Sequence, residues 1–85
     1  MSENTYLFDG KTHLNDFLKV LSLDEDYLDE AKGEAETLAG LMLEIRKDFL
    51  RRGETLAYRR LTLHVDAMDG RRIDKIRVTV AESED

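Results

Sequence analysis

The sequence has 85 residues, of which 41% are hydrophobic, and it contains no cysteine. A chain of this length buries roughly 60% of the surface that it exposes when unfolded, which is enough for one domain with one core. The absence of cysteine excludes disulfide-stapled miniproteins and thiolate metal sites, and the net charge of −6 argues against a nucleic-acid partner.

The chain shows no segment that would enter a membrane. Its longest apolar run, LAGLML at 38–43, is far shorter than the roughly 20 residues that span a bilayer. The N-terminal stretch MSENTYLFDG has neither a basic region nor an apolar region of the kind found in signal peptides. We therefore expect this chain to be soluble.

The first half of the chain predicts a strand followed by two helices. Tyr6–Phe8 reads as a strand that ends in an Asp9–Gly10 turn, and Thr12 is positioned to cap the helix that follows. Residues 22–36 carry seven acids and one lysine and predict a loop with a helical turn at most, after which Thr37 caps a second helix. The apolar positions recur at helical spacing, as Leu14, Phe17, Leu18 and Leu21 in the first helix and Leu38, Leu41, Met42, Ile45 and Phe49 in the second.

From residue 53 the apolar period changes from 3.6 to 2, which predicts three strands. The connections fall at Arg59–Arg60 and at Asp69–Gly70, and the phase change between Ile73 and Ile76 indicates a bulge near Asp74. The predicted fold class is α+β, with two helices packed on one face of a small antiparallel sheet in the order β-α-α-β-β-β. The predicted core consists of Leu14, Phe17, Leu18, Leu21, Leu38, Leu41, Met42, Ile45, Leu63, Val65, Ile76 and Val78.

Charge is divided unevenly along the chain. Residues 1–45 hold eleven acids and three bases, a balance of −8, whereas residues 46–85 hold eight acids and ten bases, a balance of +2. The cations of DGRRIDKIRVTV fit a nucleic-acid patch, a membrane-surface patch or the solvated side of a strand, and the last is the simplest interpretation. The alternative that carries function is a partner surface formed by Arg71, Arg72, Lys75 and Arg77.

The sequence contains none of the residue patterns that are typical of a catalytic site. His13 and His64 lie on different predicted elements, and the five glycines form neither a dinucleotide-binding motif nor a P-loop. The sequence therefore predicts no enzyme and no bound cofactor. Hard oxygen ligands crowd only in DEDYLDE, where Asp24, Glu25, Asp26, Asp29 and Glu30 are the candidates for Ca²⁺ or Mg²⁺; the run lacks the register of an EF-hand loop, so we expect no specific metal site.

Four stretches in this order resemble the CorC/HlyC-type transporter-associated domain. They are YLFDGKTHLNDFLKVLSL at 6–23, TLAGLML at 37–43, RRGETL at 51–56 and LTLHVDAMDGRRIDKIRVTV at 61–80. The chain departs from the family pattern in KDFLRRGE, where a proline usually stands, and in its acidic loop at 24–36, which is longer than usual.

The resemblance implies a domain over residues 5–81, followed by an acidic tail at 82–85. Such domains follow a transmembrane domain and a pair of CBS domains in bacterial membrane proteins of the hemolysin-like, magnesium/cobalt efflux type. It implies a cytoplasmic position at the inner membrane, the CBS and transmembrane domains as partners or a second copy in a homodimer, and modulation of ion transport. A direct cation sensor, a small-ligand module of flavin or nucleotide type and a plain oligomerisation domain remain alternatives.

Overall fold

The computed structural model describes residues 4–81, which form a four-stranded antiparallel sheet and three helices. The elements are β1 (Asn4–Asp9), α1 (Leu14–Leu21), α2 (Asp29–Lys32), α3 (Leu38–Arg46), β2 (Thr55–Tyr58), β3 (Leu61–Asp69) and β4 (Arg72–Val80). The strand order is β1-β4-β3-β2, so that β4 and β3 are central and the first strand of the chain lies at one edge. The predicted α+β fold and its order are confirmed, with α2 as the helical turn predicted in the acidic segment.

The core lies between the helices and one face of the sheet. Phe17 of α1 and Leu41 of α3 are fully buried, and they belong to one cluster with alternate residues of the central strands such as Val65 and Val78. The opposite sheet face carries Thr62, Arg77 and other polar residues, as period-2 alternation requires.

Ten of the twelve predicted core residues are buried, and two are not. Leu21 and Ile45 are only partly buried, and each lies in the last turn of its helix. The sequence prediction missed buried residues in loops and at strand ends, namely Tyr27, Leu28, Leu50, Leu56, Leu61, Ile73 and Val80.

The starts of α1 and α3 are held differently from each other. Thr37 caps α3 as predicted, because its Oγ1 accepts a hydrogen bond from the Gly40 N–H at 3.2 Å. The predicted cap at Thr12 is wrong: His13 occupies that position, and its side chain makes no capping hydrogen bond. Instead, His13 and Thr37 form a β-bridge, in which the Leu14 N–H donates to the Glu36 carbonyl and the Leu38 N–H to the Thr12 carbonyl. Each helix start thus satisfies backbone groups of the other.

The β3–β4 hairpin contains an irregularity on each strand. Val65 pairs with Ile76, Ala67 with Lys75 and Met68 with Ile73, which leaves an extra residue at Asp66 on β3 and at Asp74 on β4. The bulge predicted near Asp74 is confirmed, and the one at Asp66 was not predicted.

Two connections complete the sheet. Arg59–Arg60 joins β2 to β3 as predicted, with Arg59 at a φ of 54°. The other predicted turn is wrong by one residue, since Asp69 pairs with Arg72 and the turn is Gly70–Arg71. Gly70 has a φ of 65°, in the left-handed region that favours glycine, and this sets the position of the turn.

The end of α3 differs from the prediction in a way that matters for the surface. The helix stops at Arg46, and Lys47 takes a left-handed conformation with a φ of 62°. Phe49, predicted on the apolar stripe of this helix, is therefore 76% exposed, while Leu50 is buried in its place.

We expect Leu41→Ala to lower the free energy of unfolding by about 2–5 kcal/mol, because the fully buried side chain would leave a cavity. Leu43→Ala, two residues along the same helix, is the matched control and should cost about 1 kcal/mol or less, since Leu43 is 42% exposed. Urea unfolding of both variants measures the difference. A loss below about 0.5 kcal/mol for Leu41→Ala would show that this stripe is not core.

Candidate docking surface

The four cations predicted as a partner surface fall into two groups. Lys75 and Arg77 lie on β4 and are each paired with a carboxylate, Lys75 Nζ with Asp9 Oδ1 on the neighbouring strand and an Arg77 guanidinium nitrogen with Asp66 Oδ1 at 2.9 Å. Both cations are thus partly neutralised within the domain.

Arg71 and Arg72 behave differently. They lie at the tip of the β3–β4 hairpin, where both side chains are exposed. Within residues 4–81, no carboxylate lies within ion-pair distance of either guanidinium. Of the four predicted residues, these two are the ones whose charge is left for a partner.

The pKa of Lys75 is raised above its ordinary value. The main cause is the hydrogen bond from its ammonium group to the Asp9 carboxylate, and the charges of Asp9 and Asp74 act in the same direction, against the opposing effect of lost hydration. The pair therefore links the end of β1 to β4 most firmly while Lys75 is protonated.

A cleft joins the hairpin tip to the loop after α3. We call it the Phe49 cleft; it has a volume of about 540 Å³ and is lined by Phe49, Leu50, Arg51, Arg52, Met68, Gly70 and Arg71. Its lining thus combines three arginines with two apolar side chains, the buried Leu50 and the half-buried Met68. A second cleft of about 450 Å³ shares Phe49, Leu50 and Arg71 with the first, and its lining also includes Arg72 together with Asp9, Asp69 and Asp74.

Sequence reasoning missed Phe49, Arg51 and Arg52 as parts of this surface. Their position depends on a long-range contact, since the Gly53 N–H donates to the Val65 carbonyl at 2.9 Å and so holds the preceding arginines beside the far end of β3. The available signal was the repetition of an Arg-Arg pair, at 51–52 and again at 71–72, each beside a glycine.

The acidic segment lies at the other end of the sheet. Tyr27 contacts the β2–β3 turn, with its hydroxyl accepting a hydrogen bond from the Arg60 N–H at 3.1 Å, and that turn lies at the end of β3 remote from Arg71. The neighbouring carboxylates are all exposed, at Asp24, Glu25, Asp26, Asp29 and Glu30.

This acidic end already holds a cation of the protein. The guanidinium carbon of Arg59 lies 4.3 Å from the centre of the Tyr27 ring, and Arg59 Nη1 donates to the Tyr27 carbonyl at 3.4 Å. Asp29 pairs with Lys32 at 3.4 Å. Over residues 4–81, no three carboxylates or histidines converge in a way that could hold a metal ion.

The two histidines are placed apart. His13 is exposed at the start of α1 in the helical layer, whereas His64 lies on the opposite face of the sheet, with its Nδ1 3.0 Å from Thr55 Oγ1. Between residues 4 and 81, no helix is both long enough and apolar enough to cross a membrane.

A family model described as the transporter associated domain, CorC_HlyC, matches residues 1–82. This chain belongs to the CorC_HlyC transporter-associated domain family. The polyamine export protein of Escherichia coli K12 is 31% identical over 81 residues, which cover 95% of this domain and 17% of that protein. The polyamine export protein of Salmonella typhimurium is 31% identical over 77 residues, again 17% of its length. The domain thus spans about a sixth of these relatives.

Solved structures of the family share the fold. The transporter-associated domain of a CBS domain protein from Porphyromonas gingivalis is 38% identical with a TM-score of 0.87, covering 96% of this domain and 94% of that chain. A CorC_HlyC domain of a Xylella fastidiosa hemolysin, solved in complex with Mg²⁺ and Mn²⁺, is 23% identical with a TM-score of 0.73, covering 92% and 89% of the two chains.

We expect the stability added by the Lys75–Asp9 pair to be present at neutral pH and lost as the pH rises through the raised pKa of Lys75. Unfolding free energies of the original domain and of Asp9→Asn, measured from about pH 7 to about pH 12, should therefore converge above the ordinary lysine pKa of about 10.4. Glu25→Gln, which removes an exposed carboxylate remote from Lys75, is the control. A difference that stays constant over this range would show that the pair does not titrate as described.

We expect the acidic segment to bind Ca²⁺ and Mg²⁺ only weakly, because its carboxylates are exposed and no three of the described ligands converge. Calorimetry should show no saturable heat at micromolar metal. A stoichiometric micromolar site that disappears in Asp24→Asn/Asp26→Asn would contradict this and support a direct cation sensor.

Proposed function

We propose that this domain is a non-catalytic regulatory module of a bacterial membrane exporter, held on the cytoplasmic side of the membrane. Membership of a transporter-associated family supports this proposal. A second support is that the domain corresponds to only 17% of a polyamine export protein, as expected for one module of a longer chain. In this proposal the membrane-spanning and CBS domains of a longer parent protein carry the transport pathway, and the domain modulates it by docking.

The observation that carries the docking proposal is the pair of arginines at the hairpin tip. Arg71 and Arg72 are exposed and have no ion pair with any residue between 4 and 81, whereas Arg46, Lys47, Lys75 and Arg77 do. Complementary charge across an interface mainly sets the rate of encounter and the register of docking. Lys75 and Arg77 extend the proposed surface along β4, with their charge partly met by Asp9 and Asp66.

The proposed cargo of the parent protein is a cation. Two curated relatives are polyamine export proteins, and a structural neighbour from Neisseria meningitidis is described as a region associated with a Mg²⁺ and Co²⁺ transporter. Polyamines and divalent metal ions share positive charge, so an efflux assay on the parent protein should include both classes.

The alternative of a direct cation sensor finds less support in the geometry. Four of its five candidate carboxylates line a cleft together with Arg59, whose guanidinium lies over the Tyr27 ring. We therefore favour docking over ion sensing.

In the parent protein, we expect Arg71→Glu/Arg72→Glu to change the rate of cation efflux from membrane vesicles while leaving membrane insertion unchanged. Docking of the purified domain on the rest of the parent should weaken about tenfold, equivalent to about 1.4 kcal/mol, and more at low salt, where screening is weaker. The unfolding free energy should change by no more than about 0.5 kcal/mol, because both side chains are exposed.

Lys75→Glu/Arg77→Glu changes the net charge equally and is the comparison variant. Its effect on docking should be smaller, since each of its cations is already paired. The docking proposal would be refuted if Arg71→Glu/Arg72→Glu changed neither the efflux rate nor the docking affinity at low salt. Self-association of the domain that is lost in this variant would instead favour a plain oligomerisation domain.

A further inference from the structure

We infer that the Phe49 cleft binds an acidic peptide segment of a partner protein, with an apolar side chain of that segment packed against Phe49. The inference extends the proposed function by naming the cleft and the chemistry of its partner. It rests on the proposed function only in one respect, which is that the hairpin tip is taken to be the end of the domain that docks on a partner.

The first argument is the exposure of Phe49. The left-handed residue Lys47 ends α3 and turns the chain so that Leu50 enters the core and Phe49 stays in water, with 76% of it exposed. Leu43 of α3, which is 42% exposed, lines the adjacent cleft together with Phe49. Exposed apolar groups rimmed by polar ones mark interaction sites, and aromatic residues and arginine are the most frequent anchors of protein interfaces.

The second argument is the charge of the cleft walls. Arg51, Arg52 and Arg71 line the Phe49 cleft, and no acidic side chain is among its lining residues. Within the described part of the chain, none of these three guanidinium groups forms an ion pair, whereas Arg46 and Arg77 do. Guanidinium groups match carboxylates in a planar two-bond geometry, so the walls favour Asp and Glu side chains.

The third argument is that the acidic runs at 24–30 and 82–85 cannot reach the cleft. β4 has nine residues and runs from the hairpin to Val80, about 30 Å away, and four extended residues reach about 14 Å at most. The segment at 24–30 contacts the β2–β3 turn, at that same far end of the sheet. Asp48, Glu54 and Asp69 are nearer along the chain, but none of them forms an ion pair with the three arginines of the cleft. We therefore assign the carboxylates that enter the cleft to a partner protein.

The shape of the cleft favours a peptide over a membrane surface. Its lining includes the apolar side chains of Leu50 and Met68, and its volume of about 540 Å³ can take inserted side chains, which a bilayer surface cannot supply.

The test is selection of random twelve-residue peptides displayed on phage against the immobilised 85-residue domain. We expect the enriched peptides to carry several Asp or Glu residues around a Phe, Trp or Leu. Synthetic, labelled peptides of these sequences should bind with micromolar affinity at low salt. Binding should weaken at least tenfold in Arg51→Glu/Arg71→Glu and at least fivefold in Phe49→Ala.

The control variant Lys19→Glu/Lys32→Glu, at two lysines of α1 and α2 outside the lining of the Phe49 cleft, has the same net charge as Arg51→Glu/Arg71→Glu and should retain affinity within about threefold. Circular dichroism verifies that each variant is folded, and Arg51→Gln/Arg71→Gln provides a second variant if charge reversal disturbs the fold. Amide NMR shifts on peptide addition should concentrate at 49–52 and 68–71.

Three outcomes would overturn the inference: no enrichment, enriched peptides without acidic residues, or equal loss of affinity in the two charge-reversed variants. Binding to phosphatidylglycerol vesicles that is lost in Phe49→Ala, without peptide binding, would show a membrane site instead. Failed peptide binding with altered efflux in Arg71→Glu/Arg72→Glu would leave the proposed function in place. Peptide binding with unaltered efflux would support the cleft and refute the function.

Discussion

The arrangement of the domain depends on the close backbone contact at Gly10. A Cβ atom at this position would lie 2.1 Å from the carbonyl oxygen of Ile73, so no other residue fits without movement of the chain. The contact lets the Gly10 N–H donate to the Asp74 carbonyl at 2.8 Å while the Gly10 carbonyl accepts from the Ala39 N–H at 3.0 Å. One glycine therefore joins the end of β1, the bulge of β4 and the first turn of α3, and it sets how the hairpin lies against that helix.

The two bulges of the hairpin decide which cations remain unpaired. The extra residue Asp66 lies within reach of Arg77, and the end of β1 brings Asp9 to Lys75. These pairs lie along the body of the sheet, where neighbouring strands supply carboxylates. Beyond the bulges, Arg71 and Arg72 lie past the last pair that β1 makes with β4. Asp69 of β3 pairs with Arg72 in the strand register, but among residues 4–81 neither arginine forms an ion pair with it or with any other carboxylate.

The sequence predicted what depends on local periodicity and missed what depends on distant contacts. The helical stripe of Leu38, Leu41 and Met42 and the alternation of the strands are properties of short segments, and the structure has them. The prediction of a cap at Thr12 was wrong because the backbone of another segment accepts the hydrogen bond at the start of α1. The prediction that Phe49 belongs to the core was wrong because α3 ends at Arg46, and the 3.6-residue period no longer applies beyond the left-handed Lys47. The cleft required the contact between Gly53 and Val65.

Arg71 and Arg72 lie far from the two ends of the described chain, and this distance affects how docking at the hairpin tip would act on a parent protein. Asn4 pairs with Val80, so the first and last described residues lie together at the end of the sheet opposite Arg71 and Arg72. β4 connects these two ends directly, and it is hydrogen-bonded on both sides, to β1 and to β3. A strand held in this way moves with its sheet, so a partner at the hairpin would displace or rotate the domain as one body. Docking at one end would therefore change the orientation of the attachment at the other without any rearrangement within the fold.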